Sequence, residues 1–172
     1  MFTIHSMMPC HLDGVMAIQT AAYHEIEPES QTVIARKLEL SPTSCFVALN
    51  PAGQVAGYVL AHPWHYGDAP ALHVYLDALP TESDSLYLHD LAIHPEWRGR
   101  HLAPELLRAV RTAAAALDCG RSHLTAIQQS APFWEKQGYR RLAAAGHALA
   151  SYPSDACLMG CRFEFRPGSG TS

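Results

Sequence analysis

Residues 86–103 constrain the fold more than any other stretch of this chain. They open with an apolar run, Leu-Tyr-Leu-His-Asp-Leu-Ala-Ile, interrupted only by His89 and Asp90, and Pro95 ends it. So continuous a run reads as a buried central strand. A loop over 96–101 leads into a long helix over 102–117, where Leu102, Leu106, Leu107, Val110, Ala113, Ala114 and Leu117 recur at helical spacing. Pro104 falls in the first turn, where its missing N–H is harmless, and Gly120 stands just past the end as a stop signal. Another strand follows over 122–127. A buried strand, a short loop, an amphipathic helix and a second strand imply a partly parallel sheet with helices packed on it.

The flanking segments extend that α/β pattern. Residues 2–5 alternate as a short strand. Segments 12–23 and 30–40 read as helices, the second stopped by Pro42. Residues 45–49 and 54–61 form a hairpin about the turn Asn50-Pro-Ala-Gly53. The proline-punctuated, aromatic-rich stretch 62–84 reads as a loop with room for one short element. A short helix over 131–137 ends at Gly138, and two final strands are expected over 139–143 and 156–165. One domain over 1–166 is therefore expected, with a Gly/Ser-rich tail, 167–172, expected to be disordered.

Composition removes several function classes. Of 172 residues, 48 % are hydrophobic and 16 % charged, enough for a core and too apolar for intrinsic disorder. With 12 Lys and Arg against 16 Asp and Glu the net charge is −4, and no basic run is present. Neither nucleic acid nor an anionic membrane surface is an expected partner, and a cationic substrate is mildly favoured. The five cysteines contain no Cys-x-x-Cys pair, which fits reduced thiols in a cytoplasmic protein better than a zinc ribbon or a disulfide framework. The first residues lack the basic and apolar regions of a secretory leader, and no stretch approaches the roughly 18 apolar residues of a membrane span. His62 and His65 have a superficially metal-like spacing without a third ligand, so no metal is implied.

The loop between the central strand and the long helix carries the chemistry. Arg98, Gly99 and Arg100 lie directly before a helix N-terminus, whose unpaired amides and positive dipole end attract a diphosphate. Gly99 permits close backbone approach, and the arginines offer charge-assisted contacts.

This stretch resembles the acetyl-coenzyme A signature of the GNAT superfamily of N-acetyltransferases, Arg/Gln-x-x-Gly-x-Gly/Ala. Arg98 and Ala103 match its ends, while His101 stands where the family usually has glycine. The stretch APFWEKQGY at 131–139 resembles the family's short helix ending in a Gly-aromatic pair. The arylalkylamine (serotonin-type) branch is similar in its motif strand, His-x-His-x-Leu-Ala-Val-His, against Tyr87-Leu-His89-Asp-Leu-Ala-Ile-His94 here, and in Pro104 and the Pro-Phe-aromatic element at 132–134.

The resemblance implies a single-domain α/β acyltransferase with a mixed, splayed central sheet. Its function would be transfer of acetyl from acetyl-coenzyme A, as co-substrate, to a small-molecule primary amine by direct attack in a ternary complex. It places the thioester along Leu91, Ala92 and Ile93, and the diphosphate over Arg98, Gly99, Arg100, His101, Leu102, Ala103 and Pro104. Gln128, Ser130, Phe133 and Trp134 would contact the pantetheine arm. His89 and Tyr87 take the places of two family histidines, and His89 is expected to be the general base, directly or through water. Asp90 is expected on the opposite face by alternation unless the strand bulges. Trp134 occupies the position of a tyrosine that protonates the leaving thiolate in many members; indole is no acid in this range, so Tyr139 is an expected substitute. Tyr58, Trp64, Tyr66 and Tyr75 are candidates for an aromatic acceptor pocket. The runner-up is an acyl-coenzyme A-binding or sensing module with little catalysis; a polyamine, an amino sugar or a protein N-terminus is the alternative acceptor. A homodimer is common in such folds, and nothing in the sequence demands one.

Overall fold

The computed structural model describes residues 1–143 and 148–163. The chain runs through β1 (Thr3–Ser6), α1 (Leu12–Ala22), α2 (Gln31–Leu40), β2 (Phe46–Leu49), β3 (Val55–Trp64), β4 (Ser85–Ile93), α3 (Leu102–Ala116), β5 (Arg121–Ala126), α4 (Ala131–Lys136), β6 (Arg140–Arg141) and β7 (Cys157–Arg162). The strands form one seven-stranded sheet in the order β1-β2-β3-β4-β5-β7-β6. Every pair is antiparallel except β4–β5, which is parallel. The expected tail and the end of the expected last strand lie outside the described residues.

Local chemistry explains most boundaries. Ser30 caps α2 by accepting the Val33 N–H at 3.4 Å. The hairpin turn is held by Asn50 Oδ1, which accepts the N–H groups of Ala52 and Gln54, each at 2.9 Å. Two boundaries differ from expectation. Strand β3 continues through Pro63 to Trp64; its pairing with β2 ends at Val59, so a residue without a donor is tolerated on the edge beyond it. At the end of α3 the left-handed residue is Asp118 (φ 56°), not Gly120, and the Cys119 N–H closes the helix on the Ala114 carbonyl at 2.9 Å.

The sheet buries both faces. On one, α3 packs Leu106, Leu107 and Val110 against Leu86, Leu88, Leu124 and Met159. On the other, α1 and α2 pack Val15, Ile18, Ile34 and Leu38 against Val47, Tyr58 and Leu60. Each such fully buried aliphatic side chain stabilises the fold by about 1.5–3 kcal/mol. Among the described residues no helix is long and apolar enough to cross a membrane. All five cysteines are free.

Candidate active site

Strands β4 and β5 pair for only three residues, Leu86–Leu88 against Ser122–Leu124. Beyond Leu88 they part, so Asp90 to Ile93 keep their β3 partners and have none on the β5 side. That leaves a strand edge exposed inside the molecule. On the β3 side the register jumps: Leu60 lies opposite Asp90 and Ala61 opposite Leu88, which makes His89 the extra residue of a β-bulge. The bulge overturns the expectation from simple alternation. Asp90 does not face away from His89. Both side chains lie on the α1–α2 face of the sheet, where Asp90 accepts the hydroxyls of Tyr23 and Tyr58, and His89 Nε2 pairs with Glu29.

Glu29 organises the buried polar cluster. Besides His89 it holds Lys37 Nζ at 3.1 Å and accepts the His73 N–H at 2.8 Å. Burial alone would raise its pKa; His89, Lys37 and that amide outweigh burial and hold it at about 2. Lys37 is fully buried on α2, and burial lowers its pKa. The His89 side chain is 1 % exposed, and its Nδ1 is buried without a hydrogen-bond partner among the described residues. With Nε2 donating to the Glu29 carboxylate, Nδ1 carries the free lone pair. Burial raises the pKa of Asp90 despite the two tyrosine hydroxyls.

A cavity of about 560 Å³ follows the parted strands. At one end are Trp97, Arg98, Gly99 and the first turn of α3. Along its length runs the β4 edge from His89 to Ile93, with Ser130, Phe133 and Trp134 of the α4 region. At the other end are Glu29, Leu72, Thr125 and Tyr152. Gly99 (φ 77°) and His101 (φ 59°) are both left-handed, and His101 is the N-cap of α3. This end suits an anion: a guanidinium, free helix amides and a backbone turned twice.

Among the sequence candidates, Leu91, Ala92, Ile93, Arg98, Gly99, His101, Leu102, Ala103, Pro104, Gln128, Ser130, Phe133, Trp134 and His89 all line this cavity. Arg100 does not: it is exposed, because a loop that reverses at both Gly99 and His101 cannot aim successive side chains to one side. Tyr87 lies behind the wall, its hydroxyl on Thr125 Oγ1 at 2.8 Å and Tyr152 Oη at 3.1 Å, with its pKa raised by burial to about 12. Tyr139 is in the core beneath Trp134, bonded to Ser122 Oγ at 2.9 Å, and burial raises its pKa too. It does not reach the cavity and is no acid for a leaving group there. Gln128 lines the cavity, yet its Oε1 is occupied by the N–H groups of His24 and Glu25, at 3.0 and 3.3 Å.

The four aromatic acceptor candidates are elsewhere. Tyr58 is buried against Asp90, Trp64 Nε1 donates to Asp68 at 3.3 Å, Tyr66 lies under Arg121 and Tyr75 beside Arg36. The cavity's aromatics are instead Tyr23, Trp97, Phe133, Trp134 and Tyr152. Sequence reasoning also missed Glu29, Lys37 and Leu72. One signal was present: Lys37 stands four residues after Val33 and three after Ile34, a cation on the apolar face of its helix. Among the described residues no group of three His, Cys, Asp or Glu side chains could hold a metal.

A sequence model of the acetyltransferase (GNAT) family matches residues 12–139, most of the chain and all of the cavity wall except Tyr152. The chain belongs to the acetyltransferase (GNAT) family. It is thus an acyl-coenzyme A-dependent acetyltransferase by kind. Solved GNAT structures share its fold. Ard1 from Thermoplasma volcanium superposes with a TM-score of 0.73 at 17 % identity, covering 95 % of this chain and 99 % of its own. The ribosomal-protein-S18-alanine N-acetyltransferase of Escherichia coli gives 0.68 at 16 %, with 98 % of each chain covered. A GNAT-like decarboxylase, GphF, in complex with isobutyryl-coenzyme A gives 0.74 at 17 %, covering 93 % and 98 %. A search among curated proteins finds no match.

Proposed function

We propose that this GNAT enzyme acetylates a small-molecule primary amine, with acetyl-coenzyme A as co-substrate, by direct attack in a ternary complex. The observation that carries the reading is the parting of β4 and β5 after Leu88. It opens one continuous cavity from the α3 N-terminus to the Glu29–His89 pair. The residues fit an acyl-coenzyme A: Arg98 and the amides of Leu102 and Ala103 take the diphosphate, and the pantetheine arm adds to the free β4 edge as a strand would. A backbone N–H among Leu91, Ala92 and Ile93 supports the carbonyl oxygen during attack.

The acceptor arrives as an ammonium and must lose a proton first. His89 takes it at Nδ1, directly or through a water, while Glu29 holds Nε2 and stabilises the imidazolium that results. His89 passes that proton to solvent; the amine nitrogen then forms its bond to the acetyl carbon, the carbon–sulfur bond breaks to release the thiolate, and the amine's surplus proton goes to the once more neutral His89. A thiolate with a pKa near 8.5 departs without a strong acid, so Trp134 serves as packing along the pantetheine arm. Arylalkylamines are among the acceptors that fit.

Release of coenzyme A thiol with a panel of amines tests this, beside calorimetric binding of coenzyme A. Replacing His89 with Ala should cut kcat by roughly 100-fold or more while coenzyme A affinity stays within a few-fold. Undiminished turnover in that variant across pH 6–9 would remove His89 from the mechanism.

A further inference from the structure

Between β3 and β4 the chain makes a long excursion, residues 65–84, without regular secondary structure. It is nonetheless fastened along its length. His123 Nε2 bonds the Asp68 carbonyl at 2.7 Å, the Tyr152 hydroxyl donates to the Pro70 carbonyl at 2.9 Å, and the Leu72 N–H donates to Ser151 Oγ at 3.0 Å. The His73 N–H donates to Glu29 at 2.8 Å, and Arg36 Nε of α2 to the Leu76 carbonyl at 2.9 Å. His73 is itself left-handed (φ 62°), a conformation these bonds hold in place. The excursion is therefore tied to the α1–α2 loop, to α2, to β5 and to the segment before β7.

From this excursion Leu72 alone reaches the cavity wall, at the same end as Glu29, Tyr152, Ile26 and Pro28. Leu72 thus borders the cavity beyond His89, where an acceptor would have to extend away from the thioester. The charges there are of one sign. Glu27, Glu29 and Asp90 line the cavity, while Arg98, its one lysine or arginine among the described residues, belongs to the opposite end. Lys37 is buried behind Glu29 and fully engaged with it.

We propose that residues 65–84 form a fixed wall that restricts the acceptor to compact, apolar primary amines without a carboxylate or phosphate, with Leu72 setting the permitted length. A polypeptide N-terminus, which is neither compact nor apolar, falls outside that class. An anionic substituent finds no free lysine or arginine at this end, because Lys37 is already engaged with Glu29, whereas an ammonium meets the carboxylates favourably. This inference rests on the reading above that the acyl group lies along β4 with its acceptor beyond His89.

The test measures binding and turnover separately, using the full chain saturated with coenzyme A for calorimetry and with acetyl-coenzyme A for rates. The probes are isobutylamine, 2-phenylethylamine, 4-phenylbutylamine and a hexapeptide with a free N-terminus. The wild type should bind and use the short amines and neither bind nor use the peptide. Leu72→Ala should raise kcat/KM for 4-phenylbutylamine relative to isobutylamine by roughly 10-fold or more, and Leu72→Phe should shift the ranking the other way. Because Leu72 is only half-buried, both variants should fold. Equal use of peptide and short amine by the wild type would overturn the wall, as would a size ranking unchanged in both variants, or no amine binding at all. A size ranking in binding that follows Leu72 without any turnover would uphold the wall and remove the transferase reading instead.

Discussion

At the scale of single residues, His101 stands where the signature that this loop resembles usually has glycine. Only its backbone is asked for at the anion end of the cavity, yet its φ of 59° places an L side chain where glycine is at ease. The left-handed conformation costs an ordinary residue about 1–2 kcal/mol, and histidine tolerates it better than a β-branched residue does. Thermal midpoints should therefore rank His101→Gly at or above wild type, and His101→Val below it by roughly 2–4 °C for each kcal/mol lost. Coenzyme A affinity in His101→Gly should stay within a few-fold. A His101→Val variant as stable as wild type would mean that the loop does not hold this conformation in solution. The departure from glycine was legible in the sequence. What residue spacing could not give was the bulge at His89, because an extra residue in one strand shows only when its partner is known. Asp90, Tyr23 and Tyr58 come together through that bulge, from three separate segments.

At the scale of elements, the helices and central strands follow from periodicity, since each buries one face or both against a neighbour. The excursion at 65–84 does not. Its fixed conformation comes from hydrogen bonds to side chains distant in sequence, and such bonds leave no local pattern. Arg36 is the fastener furthest from the cavity. It donates to the carbonyls of Leu76 and Asp77, and its guanidinium lies 5.5 Å from the centre of the Tyr75 ring. Replacing Arg36 with Ala removes two charge-assisted bonds and that ring contact, while the buried ties at Glu29 and Tyr152 remain. Limited proteolysis should then cut within 73–80 at least several-fold faster than in wild type, with the global unfolding midpoint nearly unchanged. Equal cleavage rates would show that the outer half of the excursion is held by something other than Arg36.

At the scale of the whole molecule, the fold class and the anion end were legible because one strand–loop–helix unit carries both. The acceptor end was not, because it is assembled from the α1–α2 loop, the β3–β4 excursion and the segment before β7. Two buried histidines packed on Tyr87 make global stability depend on pH. Burial lowers the pKa of His62 to about 3 and that of His123 to about 4, whereas unfolded histidine titrates near 6.5. Between those values the unfolded chain binds more protons than the native one, so native stability is complete above pH 6.5 and falls as the pH drops. By pH 5 the two histidines together account for a loss of about 4 kcal/mol, an upper figure. Glu29, held at about 2, adds a second stage of the same sign below its ordinary pKa of 4.5. Asp90, whose pKa burial raises, acts in the opposite direction and blunts that second stage. Urea unfolding at pH 8, 6.5, 5.5 and 5 should therefore give a flat stability down to about 6.5 and a steady fall below it. His62→Gln should lessen the slope between pH 6.5 and 5 by about half, since His123 alone then carries it. A stability unchanged from pH 8 to 5 would mean that both imidazoles are protonated inside the fold, and that burial does not hold them neutral.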